Sequence, residues 1–274
     1  MIRFAANLSF LYPERPFLDR FAAAAADGFD AVECLFPYPF DARELAQRLH
    51  DHGLQQVLFN VSAGDWEAGE RGLAARPGHE QRFRAALKEA LDYAVAVGCR
   101  RLHVMAGLLE GEPARQQATY LENLVWAAAQ AAPLGIDLLL EAINPRDMPG
   151  YFLSRQQDAH DAAAAVGASN VLVQMDLYHC QISEGDLTTR LRHHLAGGRV
   201  GHLQIAGVPS RQEPDTGELN FEHLCSEIEA SGYTGAVGCE YRPRGDTSAG
   251  LEWFRRYRAS KRGRALTERP RGSR

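Results

Sequence analysis

No pair of cysteines in this chain has the spacing of a metal knuckle or a redox motif. The five present (Cys34, Cys99, Cys180, Cys225, Cys239) are scattered, odd in number and free of any CxxC. That excludes a disulfide framework as the organising device and argues against a structural zinc site. No apolar run approaches the ~20 residues a membrane span requires. The N-terminus enters a strand directly, without a signal peptide, so the expectation is a soluble, cytoplasmic protein with no membrane partner. A surplus of positive charge is also missing: the formal net charge is −5, which offers a polyanion no global attraction, and no nucleic-acid partner is expected. Finally, no GxGxxG follows a strand, so no nicotinamide cofactor is expected.

What is present is alternation. The chain has 274 residues and is 45% hydrophobic, enough to bury one large core. Short apolar runs alternate with segments of helical periodicity: IRFAAN, AVECLF, LQQVLFN, RLHVMA, IDLLLE, VLVQMD, VGHLQI and AVGCEY each precede a helical stretch. The helix after VLVQMD is expected to begin near Gly185, and the last one is SAGLEWFRRY. Eight strands and eight helices predict an α/β fold, a single (β/α)8 TIM barrel over residues 1–257. Residues 258–274 belong to a basic tail without apolar periodicity, expected to be disordered and solvated. Contact with a second subunit is the other reading of that tail, which leaves a homo-oligomer open.

In such a barrel function lies at the carboxyl edge of the strands. Four runs in the second half end there on a polar residue: Glu141 after IDLLL, Asp176 after VLVQM, Gln204 after VGHL and Glu240 after GAVGC. One glutamate at a strand end is ordinarily a solvated terminus or half of an ion pair. Four on neighbouring strands face one axis, where they would repel or stay unsatisfied without a cation. Three carboxylates and an amide with no thiolate form a hard oxygen cage, which suits Mg²⁺ or Mn²⁺. The loops VSAGDWEAGERGLAARPG, AINPRDMPGYFL and AGVPSRQEPDTGE are long for βα connections and are expected to wall a pocket. Asn144 and Asp147 follow Glu141 closely enough to line it, and Asn60 ends the third strand. Phe36, Phe59 and Trp66 are placed to set its depth. His179, three residues past Asp176, reads as a loop histidine that donates to a substrate hydroxyl. Arg211 could neutralise a substrate carboxylate or a developing enediolate, or be a solvated loop arginine. His103 reads as a barrel-interior residue, while His160, His193, His194 and His223 are expected to face solvent from helices.

The motifs RFAANLSFLY, VECLFPYPF, GDWEAGERGL, LLLEAIN with DMPGYFL, QMDLYHCQISEGDL, GHLQIAGVPSRQEPDTGELN and VGCEYRPRG resemble the hydroxypyruvate isomerase family of xylose-isomerase-like TIM barrels. The likeness runs from the N-terminus to about Tyr257. LFN, HVMAG and QIAGVPSRQEPD look closer to its 2-oxo-tetronate isomerase branch. The resemblance implies that Glu141 and Glu240 are the catalytic acid/base pair and that both, with Asp176 and Gln204, hold the metal. It also implies an internal redox isomerisation of a small hydroxy-oxo acid through an enediolate, with His179 and Arg211 on substrate oxygens. Hydroxypyruvate, interconverted with tartronate semialdehyde, is the alternative substrate within the family, and three other readings stand beside it. A zinc nuclease on the same barrel would want strand-end histidines and a basic face, a sugar-binding barrel would need no paired glutamates, and a sugar or sugar-phosphate epimerase would share the ligands.

Overall fold

The computed structural model describes residues 1–267, with the side chains of residues 1–260. Eight strands form a closed, all-parallel barrel in sequence order: β1 (Arg3–Asn7), β2 (Ala31–Glu33), β3 (Gln55–Asn60), β4 (Arg101–His103), β5 (Asp137–Glu141), β6 (Val171–Asp176), β7 (Val200–Ile205) and β8 (Ala236–Cys239). Around it run α1 (Arg20–Ala26), α2 (Ala42–Asp51), α3 (Glu80–Val97), α4 (Pro113–Ala131), α5 (Gln156–Val166), α6 (Leu177–Ser183), α7 (Leu187–Ala196), α8 (Phe221–Ala230), α9 (Thr247–Gly250) and α10 (Glu252–Thr267). Local chemistry sets many of their ends. Asp41 accepts from the amides of Arg43 and Glu44 at the start of α2, and Glu112 caps α4 with Pro113 in its first turn. Among the described residues no helix is long and apolar enough to cross a membrane.

Strand alternation positions the site. In β5, Leu138 and Leu140 pack outward into the main core while Leu139 joins a small cluster inside the barrel with Ala5, Ala31 and Ala236. Glu141, two residues on, therefore also points inward. The same parity carries Asn7 above Ala5, Glu33 above Ala31 and Glu240 above Ala236. The lower interior is filled by small apolar side chains, which places the polar groups in the upper layers of the barrel.

Three expectations change. The segment after β6 is helical from Leu177, because the Asp176 carboxylate caps it by accepting from the Tyr178 amide at 2.8 Å. His179 thus lies in the first turn of α6, and the helix expected near Gly185 is the separate α7. Strand β2 stops at Glu33, where its pairing with β3 slips by one residue, so Phe36 lies in the loop beyond. The basic segment that begins at residue 258 continues α10, whose backbone is helical to Thr267. Ala, Lys, Arg and Leu are good helix formers, and Trp253, Phe254 and Tyr257 fasten the preceding turns to the core. Residues 268–274 of that tail lie outside the described residues.

The long connection after β3 folds over the barrel mouth and is held there by a bridge between Gly72 and Ala106. A Cβ at Gly72 would come within 2.4 Å of the Met105 carbonyl oxygen, and its φ is +133°, so only glycine fits this close approach.

Candidate active site

Glu141, Asp176 and His179 meet at the carboxyl edge of β5 and β6, each offering a ligand atom within 4.8 Å of the others. All three are buried. Glu141 Oε1 and Asp176 Oδ2 are buried without a hydrogen-bond partner. Two orphaned carboxylate oxygens in one cluster are costly unless a cation or a proton satisfies them. The two carboxylates and their orphaned oxygens therefore fit a divalent metal.

The third member of the cluster is set up differently. The Asp147 amide donates to Asn144 Oδ1 at 2.8 Å, which turns the Asn144 NH2 toward His179 Nδ1 at 2.6 Å. With Nδ1 accepting, the neutral ring carries its hydrogen on Nε2, which makes that nitrogen a donor and not a metal ligand. His179 Nε2 lies 3.7 Å from Asp176 Oδ2 and 3.5 Å from Arg211 Nη2. Two donors so placed can converge on one oxygen of a bound molecule. Burial, and after it the charge of Arg211, pulls the His179 pKa well below its ordinary value and keeps the ring neutral.

On the opposite side, amide groups tie two glutamates together. Asn7 Nδ2 donates to Glu33 Oε1 at 3.0 Å and to Glu240 Oε2 at 2.9 Å; Gln204 Nε2 donates to the same two atoms at 2.8 Å each. Gln204 Oε1 in turn accepts from Gln174 Nε2 at 2.7 Å. Gln204, expected to offer its carbonyl oxygen to a cation, here turns its NH2 toward the carboxylates. Ligation through Oε1 requires that amide to turn over. Glu33 Oε2 faces His202 Nε2 at 2.7 Å, and a Cβ at Gly238 would approach the Glu33 carboxylate to 2.3 Å, so the glycine leaves the space that Glu33 occupies. Glu240 Oε1 is paired with Arg211 Nη2. Arg211 takes a φ of +52°, a conformation unusual outside glycine that marks a backbone constrained at the site.

Burial dominates the electrostatics. It pushes the Glu240 carboxyl up to about 8, with Arg211 opposing, and Asp176 up to about 6, again against Arg211. Glu141 is raised well above the usual range by burial and then by the charges of Glu240 and Asp176. Arg211 alone does not neutralise this cluster, and a divalent ion would supply the missing positive charge. His103, buried with Nδ1 3.5 Å from Glu141 Oε2, is lowered to about 3, chiefly by burial.

Above these groups opens a pocket of about 500 Å³, lined by Glu141, Glu240, His179, Arg211, Asn60, Asp147, Phe36 and Trp66 among others. Phe36 and Trp66 face each other at 5.8 Å between ring centres. Phe59 does not set pocket depth: it packs against Tyr38 and Tyr93 on the helix side of β3. Asn144 is fully buried, contacts His179 and is not among the residues that line the pocket. Asp147 accepts from the Tyr178 hydroxyl at 2.9 Å and lies 3.4 Å from Arg211 Nη1.

Glu33, Gln174, Tyr178 and Arg146 were not anticipated. A glutamate inside the apolar run AVECLF was the available signal for Glu33; no local pattern marks the others. Away from the site, His194 is buried and stacks on His160 at 4.2 Å, where α5 meets α7, instead of facing solvent.

The family model of the xylose isomerase-like TIM barrel matches residues 21–257. A 2-oxo-tetronate isomerase from Cupriavidus necator is 58% identical over 259 residues, covering 94% of this chain and 99% of that protein. The hydroxypyruvate isomerase of Escherichia coli is 44% identical over 260 residues, covering 94% and 100%. A crystal structure from Brucella melitensis, named as an AP endonuclease of family 2, superposes with a TM-score of 0.91 at 52% identity, covering 94% of this chain and 99% of that one. The chain is an isomerase of the xylose isomerase-like TIM barrel family, in the group of the 2-oxo-tetronate and hydroxypyruvate isomerases.

Proposed function

We propose that the enzyme interconverts 2-oxo-tetronate and its 3-oxo isomer, with Mg²⁺ or Mn²⁺ held by Glu141, Asp176, Gln204 and Glu240. The observation that carries the reading is the pair of orphaned oxygens on Glu141 and Asp176, in one buried cluster beneath a pocket that Glu141 and Glu240 line together with Phe36 and Trp66. The relatives named for this substrate and for the three-carbon hydroxypyruvate support the choice of a short hydroxy-oxo acid.

Glu141 and Glu240 both line the pocket, so both can reach the reacting carbons. One takes the proton from C3, leaving an enediolate. The other, protonated at the start of the cycle, returns its proton to C2, while the hydroxyl proton passes from the C3 oxygen to the C2 oxygen. Atoms and electrons balance within the substrate, so no external reductant enters. A metal ion, when bound, would supply the positive charge that polarises the carbonyl. His179 Nε2 and Arg211 donate to the substrate oxygen on which charge develops. Asn144 holds the tautomer that lets His179 donate. The Asn7 amide fixes one oxygen of Glu240 and Arg211 holds the other, which limits the rotation of that carboxylate. Phe36 and Trp66 close the side where the terminal hydroxymethyl group fits. All five cysteines are buried thiols, which suits a reducing compartment such as the cytoplasm.

The test is a side-by-side NMR assay of 2-oxo-tetronate and hydroxypyruvate with metal present. A higher kcat/KM is expected for the four-carbon acid, with residual activity on the shorter one, since one carbon contact is worth only ~1–3 kcal/mol. A tenfold or greater preference for hydroxypyruvate would overturn the substrate assignment.

A further inference from the structure

Three arginines line the pocket: Arg146, Arg211 and Arg242. Two of them are already engaged. Arg146 donates to the Tyr178 hydroxyl at 3.0 Å and to the Pro209 carbonyl at 2.9 Å, and its Nε lies 3.7 Å from Asp147. Arg211 is paired with Glu240 and Asp147. Arg242 is different: among the described residues its guanidinium makes no hydrogen bond and no ion pair, and the residue is exposed at the pocket mouth.

Its backbone is nonetheless fixed. The Arg242 amide donates to the Arg211 carbonyl at 2.7 Å, tying the end of β8 to the loop that follows β7. Tyr241 turns the other way, its hydroxyl accepting from Trp253 Nε1 at 3.2 Å in the core. Arg242 lines the same pocket as Glu240, two residues earlier. Glu141, Asp147 and Glu240 all line this pocket, so an anionic substrate entering it meets repulsion unless a cation is free to receive it. A guanidinium also matches a carboxylate bidentately.

We propose that Arg242 receives the substrate carboxylate and thereby selects hydroxy-oxo acids over uncharged sugars of the same length. This deepens the proposed function and rests on it. Arg211 is left to serve the oxygen at the reacting carbons, so binding of the acid group and stabilisation of developing charge fall to different arginines.

The experiment uses the metal-loaded full chain and the substitutions Arg242→Gln and Arg242→Lys. Kinetics are measured with 2-oxo-tetronate. Dissociation constants are measured by NMR titration for erythronate, an acid that cannot isomerise, and for erythrulose, which carries a hydroxymethyl group in place of the carboxylate. Arg242→Gln should raise KM for the oxo acid and Kd for erythronate roughly tenfold to a hundredfold, the scale of a lost charge-assisted hydrogen bond. It should move kcat by no more than about threefold, because the contact is equal in ground and transition states. Arg242→Lys should recover part of the loss, and erythrulose binding should not follow the series. An unaltered Kd for erythronate in Arg242→Gln, or an equal loss for erythrulose, overturns the inference. Wild-type protein that binds erythronate through Arg242 but turns over no oxo acid would instead refute the proposed reaction, so the two failures are distinguishable.

Discussion

Glu70 is expected to be the residue that fixes the pocket wall carrying Trp66. It lies between β3 and α3, and its side chain is 13% exposed. It accepts from the Asp65 amide at 2.6 Å and from Arg82 at 2.6 and 2.7 Å, and it is also paired with Arg76. Arg76 reaches on to Glu110 at 3.1 Å, which couples this loop to the one after β4. Hydrogen bonds from Arg82 do most to hold the Glu70 carboxyl down to about 2, burial opposing them and the Asp65 amide and Arg76 adding to them. A fall from 4.5 to about 2 nominally corresponds to more than ~3 kcal/mol of linkage. Arg82 is 47% exposed, so solvent screening reduces this to about 1–2 kcal/mol. Because the folded pKa is depressed, the stabilisation is complete above pH 4.5 and is lost as pH falls toward 2. Glu70→Gln should therefore lower Tm at pH 7 by roughly 2–4 °C. The gap to wild type should close through that acid window, and KM for the oxo acid should rise as Trp66 loses its support. Scanning calorimetry across pH, with kinetics at neutral pH, measures all three. A Tm unchanged to within about 1 °C at pH 7, with parallel acid profiles for the two proteins, would show that the Glu70 ion pairs do not stabilise the loop.

Glu141→Gln and Glu240→Gln should each lower kcat by ~10² or more, the lower end of what general acid/base groups contribute. Near wild-type turnover with metal bound would remove the affected glutamate from the mechanism. Gly238→Ala should destabilise the fold by about 1–3 kcal/mol in urea titrations, since the new methyl group meets the Glu33 carboxylate at 2.3–2.5 Å. In the double variant with Glu33→Ala the alanine should become tolerable, and failure of that rescue would show that the contact is not the cause.

Glu141 and Asp176 were legible because each ends a run buried on both faces, where a polar residue can lie only at the open edge. Glu33 was hidden by the opposite circumstance: the apolar run continues past it to Phe36, and the slip in pairing that ends β2 depends on β3, not on local sequence. Asp176 plays two parts, and its role as a helix cap moved His179 from a loop into α6. The orientation of Gln204 follows from Gln174, Glu33, Asn7 and Glu240 on four other strands or strand ends. The link from Asn144 to His179 spans 35 residues. Such contacts arise only when the barrel closes, so no window of sequence contains them. The histidine stack of His160 on His194 was missed for the same reason, since it lies where two helices pack.

In the proposed function the carboxylate cluster at the ends of β5, β6 and β8 works with a divalent cation. The most direct measurement is turnover of 2-oxo-tetronate by protein stripped with a chelator, with residual metal determined by elemental analysis, before and after addition of Mg²⁺ or Mn²⁺. Activity should be lost on stripping and return with either ion. Verified metal-free protein that turns over at the full rate would contradict it.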